Sequence, residues 1–79
     1  MNKPPKQYES VMLELELDRR FPKISRKYPN DEAMFAAARR AGMSIGEYDT
    51  WHTCATFLAV QELKREVPTE YHPAWFRRY

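Results

Sequence analysis

The chain is short of the residues that build chemical sites. Its 79 residues include two glycines, Gly42 and Gly46, so there is no glycine-rich loop to cradle a phosphate. One cysteine, Cys54, excludes an internal disulfide. With only His52 and His72 beside it, the donors for a structural zinc site are too few. No apolar run approaches the roughly 20 residues of a membrane span. The opening Met-Asn-Lys-Pro-Pro-Lys lacks the apolar stretch of a secretion signal, which predicts a cytoplasmic protein. The size also fits a virus-encoded protein acting in the host cytoplasm. A net charge of +2 is too small to impose a nucleic-acid partner. Repeats and low-complexity tracts are absent.

Catalytic pairs are missing as well. His52 and Cys54 are two apart on a predicted helix and point roughly 200° away from each other, so they cannot act as a nucleophile and base. Glu14 and Glu16 are separated in the same way. His52 reads as a boundary residue and Cys54 as a small core residue. The expectation is a protein that is not an enzyme and needs no cofactor or metal.

What the chain does have is helical periodicity. The reading is all-α: a compact three-helix domain, with helices over about 6–20, 31–41 and 45–66, a tight corner at 42–44 and an aromatic-basic tail from 68 to 79. Residues 1–5 read as a loose lead-in, with Pro5 suited to a first helical position. In helix one, Tyr8, Val11, Met12 and Leu15 make an apolar stripe at helical spacing. Leu13 and Leu17 fall on the far side and need cover from elsewhere. Val11, Leu13, Leu15 and Leu17 also alternate as a strand would, but Met, Leu and Glu favour helix and β-branched residues are scarce. Phe21-Pro22 is expected to end the helix and open a basic connector over 22–29. Asn30 or Asp31 caps helix two, whose apolar face is Met34, Phe35, Ala38 and Ala41. Helix three is apolar nearly all round from Trp51 to Val60, the mark of a helix central to a core or shared with a partner.

The corner between helices two and three has the densest local signals. Gly42 follows Arg39 and Arg40 and suits the left-handed position after a helix end. Ser44 and Glu47 have capping-box spacing, with Met43 and Tyr48 placed as a hydrophobic staple. The stretch Ala38-Arg-Arg-Ala-Gly42-Met-Ser44-Ile-Gly-Glu-Tyr48-Asp-Thr-Trp51 resembles the helix-turn-helix pattern. Ala41 to Tyr48 is also similar to the helix-to-helix corner of ribbon-helix-helix repressors. Either resemblance implies a DNA-binding transcriptional regulator. Backbone contacts would then come from Arg19, Arg20, Lys23, Arg26, Lys27, Arg39 and Arg40. Against base reading, the segment Ile45-Gly46-Glu47-Tyr48-Asp49 carries two acids and none of the Arg, Lys, Asn or Gln that read bases.

Surplus aromatics favour a protein partner instead. Two Trp, five Tyr and four Phe make eleven rings, more than one small core needs. Trp, Tyr and Arg are the types most enriched at binding hot spots. The expected contact surface is Phe57, Trp75, Phe76, Arg77, Arg78 and Tyr79. The expected role is that of a small accessory, inhibitor or assembly protein acting on a protein partner or by self-association. An alternative for the tail is to fold back over Leu13 or Leu17.

Overall fold

The computed structural model describes residues 3–79. They form three α-helices: α1 (Ser10–Lys27), α2 (Asp31–Arg40) and α3 (Trp51–Glu66). Short 3-10 turns lie at Lys6–Tyr8, Thr69–Tyr71 and Ala74–Arg78. No strand occurs among the described residues, so the all-α three-helix reading holds and the strand pattern over 11–18 gives way to helix. The part of the expected lead-in formed by residues 1–2 lies outside the described residues. Pro5 caps the first 3-10 turn rather than starting α1, which begins at Ser10.

The first correction concerns α1. It does not stop at Arg20 but runs through Pro22 to Lys27. Most of the expected basic connector is therefore helix. An interior proline costs about 3 kcal/mol, because its ring removes a donor and crowds the preceding turn. Pro22 and Asp18 both lie on the exposed face, so the Asp18 carbonyl left without its N–H can be hydrated. The offset comes from the opposite face. Leu13 and Ile24 are buried, and Leu17, Phe21 and Tyr28 pack on the core between and beyond them. Full burial of one such side chain is worth about 1.5–3 kcal/mol. Several in a row outweigh the proline.

This longer stripe reverses the expected orientation of α1. Leu13 and Leu17 face inward, whereas Val11 and Leu15 are 57% and 49% exposed. The helix presents the face with more apolar turns, and that face becomes visible only when the stripe is followed past Pro22.

α2 matches its expected span to within a residue. The Asn30 Oδ1 accepts from the Ala33 N–H at 2.9 Å. Its far end is a Schellman closure: Met43 N–H donates to Ala38 O and Gly42 N–H to Arg39 O, both at 3.0 Å, with Gly42 at φ +104°. The Gly42 stop is thus as expected.

The tight corner is not formed. α3 starts at Trp51, so residues 41–50 are a connecting segment rather than a sharp turn. The capping group is Thr50, whose Oγ1 accepts from Thr53 N–H at 3.1 Å. Ser44 and Glu47 are both exposed, and the staple fails with them because Tyr48 is 89% exposed. Helix from 45 to 50 would place Gly46 and Asp49 in helix interior, where both are unfavourable. Instead the Asp49 carboxylate accepts from the Gly46 N–H and closes a local turn. Met43 and Ile45 both pack on the core, as side chains two apart can in an extended chain.

α3 is the central element and packs on both α1 and α2. Cys54, Ala55, Phe57, Leu58, Ala59, Val60 and Leu63 are all buried. Its all-round apolar middle is covered from within the chain. One core cluster joins Ile24, Met34, Ala37 and Ala38 to the first half of α3. The other joins Leu13, Val60, Leu63 and Val67 to Phe76 of the tail, and Leu17 and Tyr79 touch both clusters. The tail therefore folds back over Leu13, as its alternative reading held.

Candidate functional site

The expected contact surface is divided by this fold. Phe57 and Phe76 are 8% and 1% exposed and belong to the core of the folded chain. Trp75 is half-buried, stands edge-on to Phe76 at 4.8 Å, and donates its indole N–H to Ser10 Oγ at 2.8 Å. Tyr79 is half-buried, and its backbone oxygen accepts from Gln61 Nε2 at 2.9 Å and from Lys64 Nζ. Only Arg77 and Arg78 stand exposed. Other rings gather beside the tail, where Tyr8 stacks on Tyr71 at 5.6 Å and His72 packs on Phe76 at 5.0 Å.

The expected basic set is divided too. Arg20 is the hub of an ion-pair cluster. Its Nε donates to Glu16 at 3.2 Å, Nη1 to Glu62 at 3.4 Å, and Nη2 to Glu66 at 2.7 Å, with a second bond from Nη1 to the same Glu66 carboxylate. Arg19 pairs with Glu16 at 3.6 Å. The bidentate hydrogen bond to Arg20 holds the Glu66 carboxyl below the usual carboxylate range, despite an opposing effect of desolvation. The same bond pushes the Arg20 guanidinium above its ordinary value, again against desolvation. Arg20 is therefore committed within the chain, whereas Arg19 keeps a side chain that is 75% exposed. Lys23, Arg26, Lys27, Arg39 and Arg40 are all exposed.

Two grooves flank the Arg20 cluster. The first, about 320 Å³, runs along α1 between Tyr8, Met12 and Leu15 on one side and Leu63 and Val67 on the other, with Glu16, Arg20 and Glu66 at its charged end. Val11 and Leu15 stand exposed on the same helix. The periodicity of α1 contained this surface, because it held two apolar stripes and only one could be buried.

The second groove, about 270 Å³, lies where α1, α2 and α3 meet, and carries Lys27, Arg40 and Arg65 from three different helices. Tyr28, Gln61 and Glu62 also line it. Arg65 was missed by sequence reasoning. The available signal was its place in the last turn of α3, shared with Lys27 and Arg40 in theirs. That the three ends converge is tertiary information.

The cysteine and both histidines make contacts within the fold. Cys54 is fully buried, and burial pushes its thiol up, with the Asp49 charge adding to the effect. His72 Nε2 donates to the Val67 carbonyl at 2.8 Å. His52 lies against the Phe21 ring at 4.9 Å. Among the described residues no three His, Cys, Asp or Glu side chains converge as metal ligands, and no helix is long and apolar enough to cross a membrane. No family model, curated protein or solved structure matches the chain.

Proposed function

We propose that this protein is a non-enzymatic accessory, inhibitor or assembly protein that holds a protein partner on the outer face of α1. One observation carries the reading: Val11 and Leu15 remain 57% and 49% exposed beside the groove of Tyr8, Met12, Leu63 and Val67. Val11 and Leu15 lie one helical turn apart, and Leu15 also lines the groove, so together they form an apolar patch rimmed by charge, the kind of surface that marks a protein contact.

The charges define the occupant. Glu16, Glu62 and Glu66 surround Arg20, with Arg19 on Glu16, so three carboxylates face two guanidiniums. Glu14 and Asp18 stand exposed on the same helix. The fitting ligand is a segment of another protein with apolar side chains for the groove and a lysine or arginine for this acidic end.

The test is Leu15→Asp, checked by circular dichroism for an unchanged fold, in pulldowns from the native host. A protein retained by the wild type and by Arg77→Ala/Arg78→Ala, but lost with Leu15→Asp, supports the assignment. Equal retention by Leu15→Asp would overturn it. So would a wild-type dimer in sedimentation that Leu15→Asp dissociates, because the face would then belong to a second copy.

A further inference from the structure

We infer that the groove at the junction of α1, α2 and α3 is a site for the phosphodiester backbone of a nucleic acid. Lys27, Arg40 and Arg65 line it from three separate helices. All three are exposed, and among the described residues every ion pair within 4.0 Å belongs to Arg19 or Arg20. Glu62 also lines the groove, with its carboxylate paired to Arg20 at 3.4 Å. Arg65 acts on the Glu66 carboxylate only at longer range. Among the described residues the three cations there thus have no ion pair of their own within 4.0 Å.

Helix dipoles explain part of this. A cation in the last turn of a helix is stabilised by the helix macrodipole. That accounts for each residue separately. It does not account for all three sharing one groove, where they repel each other until an anion arrives. Arg with its planar fork and Lys with its point charge are the side chains that contact phosphate oxygens.

The form of the groove favours a polyanion over a single phosphate. Its cations are exposed, with no buried donor to enclose one ligand. Positive charge also continues beyond it, since Lys23 and Arg26 precede Lys27 on α1 and Arg39 precedes Arg40 on α2, all exposed. Base reading is not provided for. The Gln61 amide N–H is given to the Tyr79 backbone oxygen, and Lys27 Nζ sits over the Tyr28 ring at 5.5 Å. The binding is therefore electrostatic and indifferent to sequence.

This site is independent of the α1 docking face, and its test separates them. The probe is a short duplex DNA of random sequence, titrated against salt by fluorescence anisotropy. The wild type should bind at low salt, with the slope of log affinity against log salt falling by about one for each cation replaced. Lys27→Gln/Arg40→Gln/Arg65→Gln should lose at least about tenfold in affinity at low salt. Leu15→Asp and Arg77→Gln/Arg78→Gln should bind as the wild type does. The exposed glutamines keep the helices, which circular dichroism checks. Absence of wild-type binding at low salt, an unchanged slope in the triple variant, or an equal loss in Arg77→Gln/Arg78→Gln would each overturn the proposal.

Discussion

Arg20 on α1 grips the Glu66 carboxylate near the end of α3 through two guanidinium nitrogens. The arginine side chain is only 15% exposed while the glutamate is 57% exposed, so the two ends of the bond are unequal. Removing Arg20 leaves Glu16, Glu62 and Glu66 close together without their shared cation. Removing Glu66 leaves an arginine that still has two carboxylates. Arg20→Met should therefore cost about 1.5–3 kcal/mol in urea unfolding, and Glu66→Gln less than about 1 kcal/mol. Equal losses would show that the hub is not Arg20.

The same bond has a pH signature. The Arg20 hydrogen bond lowers the Glu66 pKa from its ordinary 4.5. A carboxyl with a depressed folded pKa contributes stability above its unfolded value and loses it as pH falls through the folded one. The stability gap between wild type and Glu66→Gln should be constant near neutral pH and shrink below about 4.5. Thermal melts across the acid range check it. A gap that widens on acidification would contradict the sign.

Cap substitutions locate the start of α3. Thr50→Ala removes an acceptor from the Thr53 N–H and should cost about 1 kcal/mol. Ser44→Ala should cost almost nothing, because Ser44 is exposed in the connecting segment. Gly42→Ala meets no atom within 4 Å, yet must hold φ at +104°, which costs about 1–2 kcal/mol for an alanine. Denaturant melts of the three variants rank them. A Ser44→Ala loss equal to that of Thr50→Ala would move the helix start back to residue 45.

These residues also show where sequence was informative. Gly42 was legible because its signal is local: a left-handed stop needs only glycine and the helix before it. Asn30 was legible for the same reason. Ser44 had the local pattern of a cap, yet α3 starts after Thr50, and Met43 and Ile45 reach the core from the segment between, which no local pattern encodes. Pro22 misled because its local penalty is real and is outweighed only by packing on the far face. Trp75 and Phe76 have the composition of a binding hot spot and also of a buried clasp. The decision lay in Leu13, which a truncated stripe had placed on the wrong side. Of the candidate sites, the Val11 and Leu15 pair was written in α1's two stripes, whereas the meeting of Lys27, Arg40 and Arg65 was not.

Phe76 anchors the tail to the core. It is 1% exposed among Leu13, Val60, Leu63 and Val67. Phe76→Ala should cost about 3–5 kcal/mol, the usual loss for a buried phenylalanine. Small domains hold as little as about 5 kcal/mol in total, so this variant should be largely unfolded by 37 °C. Trp75→Phe keeps the ring but loses the N–H to Ser10, and should cost about 0.5–1.5 kcal/mol. Thermal melts by circular dichroism should show a marked gap between the two. If Phe76→Ala melts near the wild type, the tail is not part of the core.

Cys54 reports on the interior through its reactivity. The thiol is fully buried in the first core cluster, and burial raises its pKa above 9.0, with the Asp49 charge adding to it. Thiolate is the form that reacts with a disulfide reagent, so native protein should label far more slowly than protein in concentrated urea. Raising the pH should not close that gap, because burial limits access as well as ionisation. The linkage has a definite sign. An unfolded thiol ionises at a lower pH than the folded one, so stability should be level below about 9.0 and fall as pH rises above it. Cys54→Ala should lack this alkaline decline while losing some stability at neutral pH to the smaller side chain. Rapid labelling of the native wild type at neutral pH would mean that α3 is not the closed centre of this fold.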